Sequence, residues 1–333
     1  MIGIIGAGSW GTALAIHLSR SGRDVALWGR DGSRLMRFAQ ERENTRYLPG
    51  FTFPESLRVE EDLKRLIATS PILCLAIPLQ AYRPFLLEHG HRFSEAQQLV
   101  MLSKGMELDT LMLPTQIVMD VLGEAWGERT SMLSGPSFAK EVAAGMPTTV
   151  VLSSTLESHI EPLQHYFTSP VFRVYTNSDW IGVELAGALK NVIAIAAGMV
   201  SGLNLGHNTM AALLTRALYE ISRLGSALGA RKRTFSGLAG MGDLILTCTG
   251  HLSRNRTIGV MLAQGKGLAE ALQELGMVAE GVKTARPAAT LGREMGIDLP
   301  IINVVDRILN EGLNPEEGLF ELMTRKLKSE HDR

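Results

Sequence analysis

Apolar residues in this chain change rhythm once, near residue 177. Before that point they come in short runs that stop at turn residues: 1–5, 24–28, 71–77, 99–102, 131–133, 148–152 and 171–175. Runs of this length are too short for helices, and their flanking turns predict strands. Between the first two, Thr12, Ala13, Leu14, Ala15, Ile16 and Leu18 keep helical spacing until Ser21 and Gly22. Strand, helix, strand is a βαβ unit, so the pattern predicts a mostly parallel sheet with 148–152 and 171–175 toward an edge. Beyond 177 the β-branched runs disappear. Helical periodicity covers 208–228, 268–275 and 300–309, and Asn314 offers an N-cap before Pro315, Glu316 and Glu317. The expected layout is an α/β domain over 1–177 and an all-helical C-terminal domain over 178–333.

The longest apolar stretch, 180–203, contains Glu184 and Lys190. A membrane span would hold both charges in hydrocarbon, whereas a core helix can aim them at a cavity, so no membrane span is expected. The charged tail, 326–333, reads as a solvated end. At 333 residues, 45% hydrophobic and 20% charged, the chain is ordinary for a two-domain globular protein. A net charge of -1 gives no electrostatic footprint for nucleic acid or an anionic membrane surface. Cys74 and Cys248 lack metal-ligand or redox-motif spacing and read as buried, reduced thiols, with no metal site. No basic segment followed by an apolar one opens the chain, so a cytoplasmic location is expected. A homodimer is the default assembly.

The first strand runs into Gly6, Ala7, Gly8, Ser9, Trp10 and Gly11. In a Rossmann-type dinucleotide-binding domain the first glycine makes the turn, the second admits a pyrophosphate and the third lets helix pack on strand. The helix N-terminus then faces the anion. At the tip of the second strand, Arg30 follows Gly29 and can fork onto a 2′-phosphate, which predicts NADP, with NADPH preferred. Asp31 beside it could instead reach a ribose and admit NAD, and Arg30 could be a solvated turn residue. Ligands in such sheets lie beyond the carboxyl ends of strands. Three ends stand out there: Ile77 with Pro78, Ser103 to Gly105 around Lys104, and Ser134 to Ala139, which leads into a short helix. Lys104 reads equally as a surface residue, and Ser137 as that helix's N-cap.

In the helical half, Lys190 has Ala186, Gly187, Ile193 and Ala194 as one-turn neighbours. A lysine in such surroundings is desolvated or at a cavity mouth, which suits proton transfer, though most lysines are simply solvated. Gly237, Gly240 and Gly242 suggest a functional loop leading to Asp243, with no packing need behind it. Ser253 reads as the N-cap of a helix whose first turn holds Arg254, Asn255 and Arg256, where cations oppose the helix dipole unless an anion binds. The alternative is an N-cap and two solvated arginines. Glu280 fits either a ligand contact or a helix start.

Together these residues resemble the NAD(P)-dependent glycerol-3-phosphate dehydrogenases of the bacterial type over almost the whole chain. The motifs are GAGSWG at 6–11, NTRYLP at 44–49, SKG at 103–105 and SGPSFAKEV at 134–142. ELAGALKN at 184–191, GLNLGHN at 202–208, GLAGMGD at 237–243, SRN at 253–255 and VAEGV at 278–282 follow in order. The resemblance implies cofactor contacts at Ser9, Trp10, Arg30, Lys104, Ala139, Arg254, Val278 and Glu280, beyond the glycines of the turn. It implies contacts to a small phosphorylated triose at Lys104, Gly135, Ser137, Lys190, Asp243, Ser253, Arg254 and Asn255. Lys190 would exchange the proton with Asp243 assisting, and the product would feed phospholipid synthesis. A ketopantoate- or β-hydroxyacid-type reductase, or a non-catalytic nicotinamide redox sensor, are the alternatives.

Overall fold

The computed structural model describes residues 1–327, 329 and 330; Lys328 and 331–333, part of the tail expected to be solvated, lie outside the described residues. The first half is built from β1 (Ile2–Ile5), α1 (Ser9–Arg20), β2 (Val25–Trp28), α2 (Gly32–Glu41), β3 (Leu57–Val59), α3 (Leu63–Thr69), β4 (Ile72–Leu75) and α4 (Tyr82–His89). β5 (Gln98–Met101), α5 (Pro114–Leu122), β6 (Thr130–Ser134), α6 (Ala139–Ala143), β7 (Thr148–Ser154), α7 (Glu157–Phe167) and β8 (Phe172–Asn177) complete it. Among the described residues these eight strands form one sheet, ordered β3-β2-β1-β4-β5-β6-β7-β8. Neighbours run parallel except β6 and β7. Strand order reverses beside β1, which pairs with β2 on one side and β4 on the other, and a crevice opens beyond that point.

β1 is buried along its whole length because helices cover both faces of the sheet. Ile4, Leu14, Leu27 and Phe172 pack on one face; Ile5, Leu75, Tyr82 and Met101 pack on the other, where Val183 joins them from the helical half. β3 went unseen in the sequence: three residues at a sheet edge carry too little periodicity. The run at 71–77 yields a strand of only Ile72–Leu75, because the chain turns toward the crevice after it. Cys74 and Cys248 are free and buried.

The helical half follows as α8 (Trp180–Gly202), α9 (Gly206–Ala227), α10 (Lys232–Phe235), a π-helical turn (Leu238–Gly242), α11 (Asp243–Thr249) and α12 (Arg254–Ala263). α13 (Leu268–Leu275), α14 (Glu280–Glu294), α15 (Pro300–Glu311) and α16 (Pro315–Met323) close it. Asn314 caps α16 by accepting from the Glu316 N–H at 2.8 Å. α8 is the axis of this half: every residue from Gly182 to Val200 is buried. It is long and apolar enough to cross a membrane, but 94% of its most apolar window is covered by the protein itself. Only one of its two charges behaves as expected. Lys190 faces the crevice, whereas Glu184, fully buried, caps α5 by accepting from the Thr115 N–H at 3.1 Å and from its hydroxyl. Burial pushes the Glu184 carboxyl up to about 7. This contact ties α8 to the sheet.

α12 crosses α8 at backbone contact. A Cβ on Gly259 would lie 1.9 Å from the Ile195 carbonyl oxygen, and one on Gly198 would lie 2.0 Å from that of Arg256. Neither helix can yield, because both neighbours are main chain. Gly259→Ala is expected to destabilise the protein by about 3 kcal/mol, the upper range for overpacking. A melting scan would register this as a drop of several degrees, and an unchanged melting temperature would contradict the crossing.

Candidate active site

The glycine turn between β1 and α1 has the geometry of an anion cradle. Gly6 has φ +123°, and a Cβ there would lie 2.6 Å from the Ala76 carbonyl at the exit of β4. Gly11 packs the helix on the turn so closely that a Cβ would lie 2.0 Å from the Gly6 oxygen. Nothing lies within 4 Å of the Cβ position of Gly8, which leaves its backbone open to a ligand. The 44–49 segment braces the turn: Asn44, fully buried, donates to the Ala7 oxygen at 2.9 Å and to the Thr12 hydroxyl at 2.8 Å. Ser9 donates its hydroxyl to the Tyr47 oxygen at 2.7 Å. Trp10 is partly buried against the sheet core. The N–H groups of the first turn of α1, which no side chain caps, lie beside the open Gly8 and fit a dinucleotide pyrophosphate.

At the β2 tip Arg30 is exposed and, among the described residues, has no hydrogen-bond or ion-pair partner. Asp31 turns the other way. It caps α2, accepting from the Arg34 N–H at 3.1 Å and the Ser33 hydroxyl at 2.8 Å, and pairs with the Arg34 guanidinium at 3.0 Å. Arg34 also donates to the Tyr47 hydroxyl at 3.2 Å. The sequence reading missed Arg34, although its spacing of three residues from Asp31 signals such a pair.

Across the crevice, Asp243 receives two ammonium groups. Lys190 donates to its Oδ1 at 2.5 Å and Lys104 to its Oδ2 at 2.5 Å. Lys190 also donates to the Thr247 hydroxyl at 2.8 Å, and Thr247 to Asp243 at 3.2 Å. Lys190 is 7% exposed and Asp243 1%. Burial lowers the Lys190 amine to about 8, with Asp243 opposing that shift and Lys104 adding to it. Burial would raise the Asp243 carboxyl, but Lys104 and Lys190 outweigh it and hold the group below its ordinary range. Lys104 is therefore no surface residue; it also donates to the Gly135 oxygen at 3.3 Å. Its turn is held by Ser103, which donates to the Ile77 oxygen at 2.5 Å.

Two local expectations are corrected. Phe138, not Ser137, occupies the N-cap of α6, and the Ser137 hydroxyl donates to the Gly135 oxygen at 3.0 Å instead. The glycine-rich 237–243 segment is a π-helical turn rather than a loop, and packing does explain one glycine, since a Cβ on Gly240 would lie 2.0 Å from the Phe235 oxygen. That turn delivers Asp243 as the first residue of α11.

Ser253 caps α12 as expected, accepting from the Arg256 N–H at 3.3 Å. Among the described residues the N–H groups of Arg254 and Asn255 stay unclaimed in the first helical turn; Arg254 remains open to solvent, yet enough of its guanidinium is covered that burial lowers it, with Glu280 opposing. Asn255's side chain is engaged elsewhere: it donates to Asn191 at 2.9 Å and accepts from the Gly281 N–H at 3.0 Å. What it can offer a phosphate is its backbone. Glu280 begins α14, as one of its two readings had it, and accepts from the Leu79 N–H at 3.3 Å. Burial raises its carboxyl, against Leu79 and Arg254. Ala139 starts α6, and Val278 is 47% exposed. Thr247 and Asn191 escaped the sequence reading; Thr247 stands four residues after Asp243, one turn along the same helix face.

The chain matches the NAD-dependent glycerol-3-phosphate dehydrogenase family over two stretches, the N-terminal part at residues 1–160 and the C-terminal part at 179–319. It is 51% identical over 329 residues to glycerol-3-phosphate dehydrogenase [NAD(P)+] of Geobacter metallireducens, covering 99% of this chain and 98% of that protein. The crystal structure of glycerol-3-phosphate dehydrogenase from Coxiella burnetii superposes with a TM-score of 0.92 at 39% identity, over 97% of this chain and 98% of that one. A ketopantoate reductase from Ralstonia eutropha shares the fold alone, with a TM-score of 0.59 at 15% identity over 96% of this chain and 100% of that one. The chain therefore belongs to the NAD-dependent glycerol-3-phosphate dehydrogenase family.

Proposed function

We propose that this protein interconverts dihydroxyacetone phosphate and sn-glycerol 3-phosphate with NAD(P)H, preferring NADPH. The observation that carries the reading is the buried pair of Lys190 with Asp243, set in the same crevice as the open glycine turn and the unclaimed N–H groups of Arg254 and Asn255. The nicotinamide cofactor, when bound, supplies the hydride for C2. Lys190, lowered to about 8 by burial, gives its proton to the forming C2 alkoxide in reduction and takes it back in oxidation. Its ammonium, with that of Lys104, also stabilises the developing negative charge. Asp243 holds both amines in position and compensates their charge. Arg254 and the first turn of α12 bind the phosphate, assisted by Ser253, while Gly135 and Ser137 line the substrate's other end. Ser9, Trp10, Arg30, Lys104, Ala139, Arg254, Val278 and Glu280 contact the cofactor.

The NADPH preference draws support from two neighbours at the β2 tip. Among the described residues Arg30 is unpaired there, and the carboxylate that would favour NAD, Asp31, is held by Arg34 and Ser33. Arg30→Ala is expected to lower kcat/KM for NADPH by roughly tenfold or more while leaving NADH nearly unchanged, the loss of a charge-assisted fork. An unchanged NADPH/NADH ratio would assign the selectivity to another contact. A homodimer, a cytoplasmic location and domain limits at 1–177 and 178–333 belong to the same proposal, as does supply of the product to phospholipid synthesis.

The test is NADPH oxidation with dihydroxyacetone phosphate against a panel of unphosphorylated keto acids that includes ketopantoate. Strong preference for the triose phosphate is expected. Preference for a keto acid would favour the neighbouring reductases, and no oxidation of any substrate would favour a redox sensor.

A further inference from the structure

Beside the turn that delivers Asp243 lies a cavity of about 870 Å³. It is walled by β7 and β8 on one side and by α10 and the start of the π-helical turn on the other. None of the residues assigned to substrate or cofactor lines it. Its charge is one-sided. Arg231 and Arg233 line it, and Arg173, next to it on β8, lies with its guanidinium 4.9 Å from the ring centroid of the lining Tyr175. Glu161 is the one acidic residue in the lining.

These arginines differ in how far they are already engaged. Arg231 is held at one end, donating to the Ser178 hydroxyl at 3.0 Å, and Arg233 has no hydrogen-bond or ion-pair partner among the described residues. The buried carboxylate of Asp179 makes no ion pair with either guanidinium among the described residues. It is 6% exposed and accepts from the N–H groups of Gly182 at 3.1 Å and Arg231 at 2.8 Å and from the Thr234 hydroxyl at 2.5 Å. Two guanidinium groups in one lining, one without a partner among the described residues and the other pre-oriented by Ser178, together with the hydroxyls of Thr176 and Ser178, make a donor set that binds a phosphate monoester.

We propose that this cavity is a second anion site, taking a small phosphorylated ligand and separate from the catalytic crevice. Its occupancy reaches the reaction through one continuous strip of main chain. The Thr234 oxygen in its wall accepts from the Gly237 N–H at 3.1 Å, and the Gly237 oxygen accepts from the Gly242 N–H at 3.1 Å, one residue before Asp243. A ligand gripping the 231–234 segment therefore biases the turn that sets the Asp243 carboxylate against Lys190 and Lys104.

Equilibrium dialysis with radiolabelled inorganic phosphate tests this on the full chain. The wild type is expected to bind two phosphates, one in the crevice and one here. Arg231→Ala with Arg233→Ala is expected to bind one and to keep turnover within about twofold of wild type, because neither side chain touches the catalytic groups. Arg233→Ala alone, which breaks no hydrogen bond or ion pair among the described residues, is expected to weaken the second site by roughly tenfold. Phosphate inhibition not relieved by raising dihydroxyacetone phosphate should disappear in the double variant. Arg254→Ala separates this proposal from the functional reading on which the crevice site rests. If Arg254 does not bind phosphate, that variant keeps two sites while the arginine pair still removes one. An unchanged number of sites in the double variant, whether one or two, would overturn the proposal; a single wild-type site that the double variant removes would count against the crevice site alone.

Discussion

Lys190→Ala is expected to lower kcat for reduction of dihydroxyacetone phosphate by roughly a thousandfold or more, combining the loss of a general acid with the loss of a charge facing the forming alkoxide. Cofactor affinity should change little, since the glycine turn and the β2 tip lie across the crevice from α8. The variant should remain folded. Removing the amine leaves Asp243 paired to Lys104, so no buried carboxylate is stranded without a cation. Lys190→Arg is a sharper form of the same test: a guanidinium keeps the charge but does not release a proton near neutral pH, and its planar fork does not fit between Asp243 and Thr247. It should rescue little. Turnover within tenfold of wild type in either variant, measured with saturating NADPH, would remove Lys190 from the proton transfer.

Arg254→Ala is expected to raise KM for dihydroxyacetone phosphate by roughly 10- to 100-fold, as the loss of a charge-assisted contact to a phosphate predicts, with a smaller effect on kcat. The helix N–H groups of α12 remain and keep some affinity. Dihydroxyacetone, which has no phosphate, supplies the control: its poor turnover should be the same in wild type and variant. A parallel loss with both substrates would mean that Arg254 acts through its neighbour Glu280, whose burial-driven rise it partly opposes, and not through the phosphate. An unchanged KM would end the phosphate assignment.

Much of this arrangement is legible in the amino-acid sequence because it depends on local spacing. The glycine turn, the caps at Ser253 and Asn314, and the small residues around Lys190 each declare themselves within a few positions. What stays hidden depends on how distant elements meet. Asn255 reads as a free amide in a helix's first turn, yet both ends of its side chain are taken by Asn191 and Gly281, which only the crossing of α8, α12 and α14 brings within reach. Gly240 reads as a loop glycine, but a carbonyl of Phe235 lies where its side chain would be. Glu184 reads as a charge bound for a cavity and instead caps a helix of the other half, a contact spanning 69 residues. Lys104 stands open between surface and site until Asp243, far along the chain, closes the question. Thr247 could have been found from its four-residue offset to Asp243, had that segment been read as a helix.

The most direct test of the central claim, that one buried lysine both gives and takes the proton at C2, is kcat against pH in the two directions of the same enzyme. Reduction needs the Lys190 ammonium and should fall as pH rises through about 8, while oxidation of sn-glycerol 3-phosphate needs the free amine and should rise through the same value. Mirror-image limbs that both vanish in Lys190→Ala are the expected result. Two limbs running the same way, or a midpoint that survives the substitution, would contradict it.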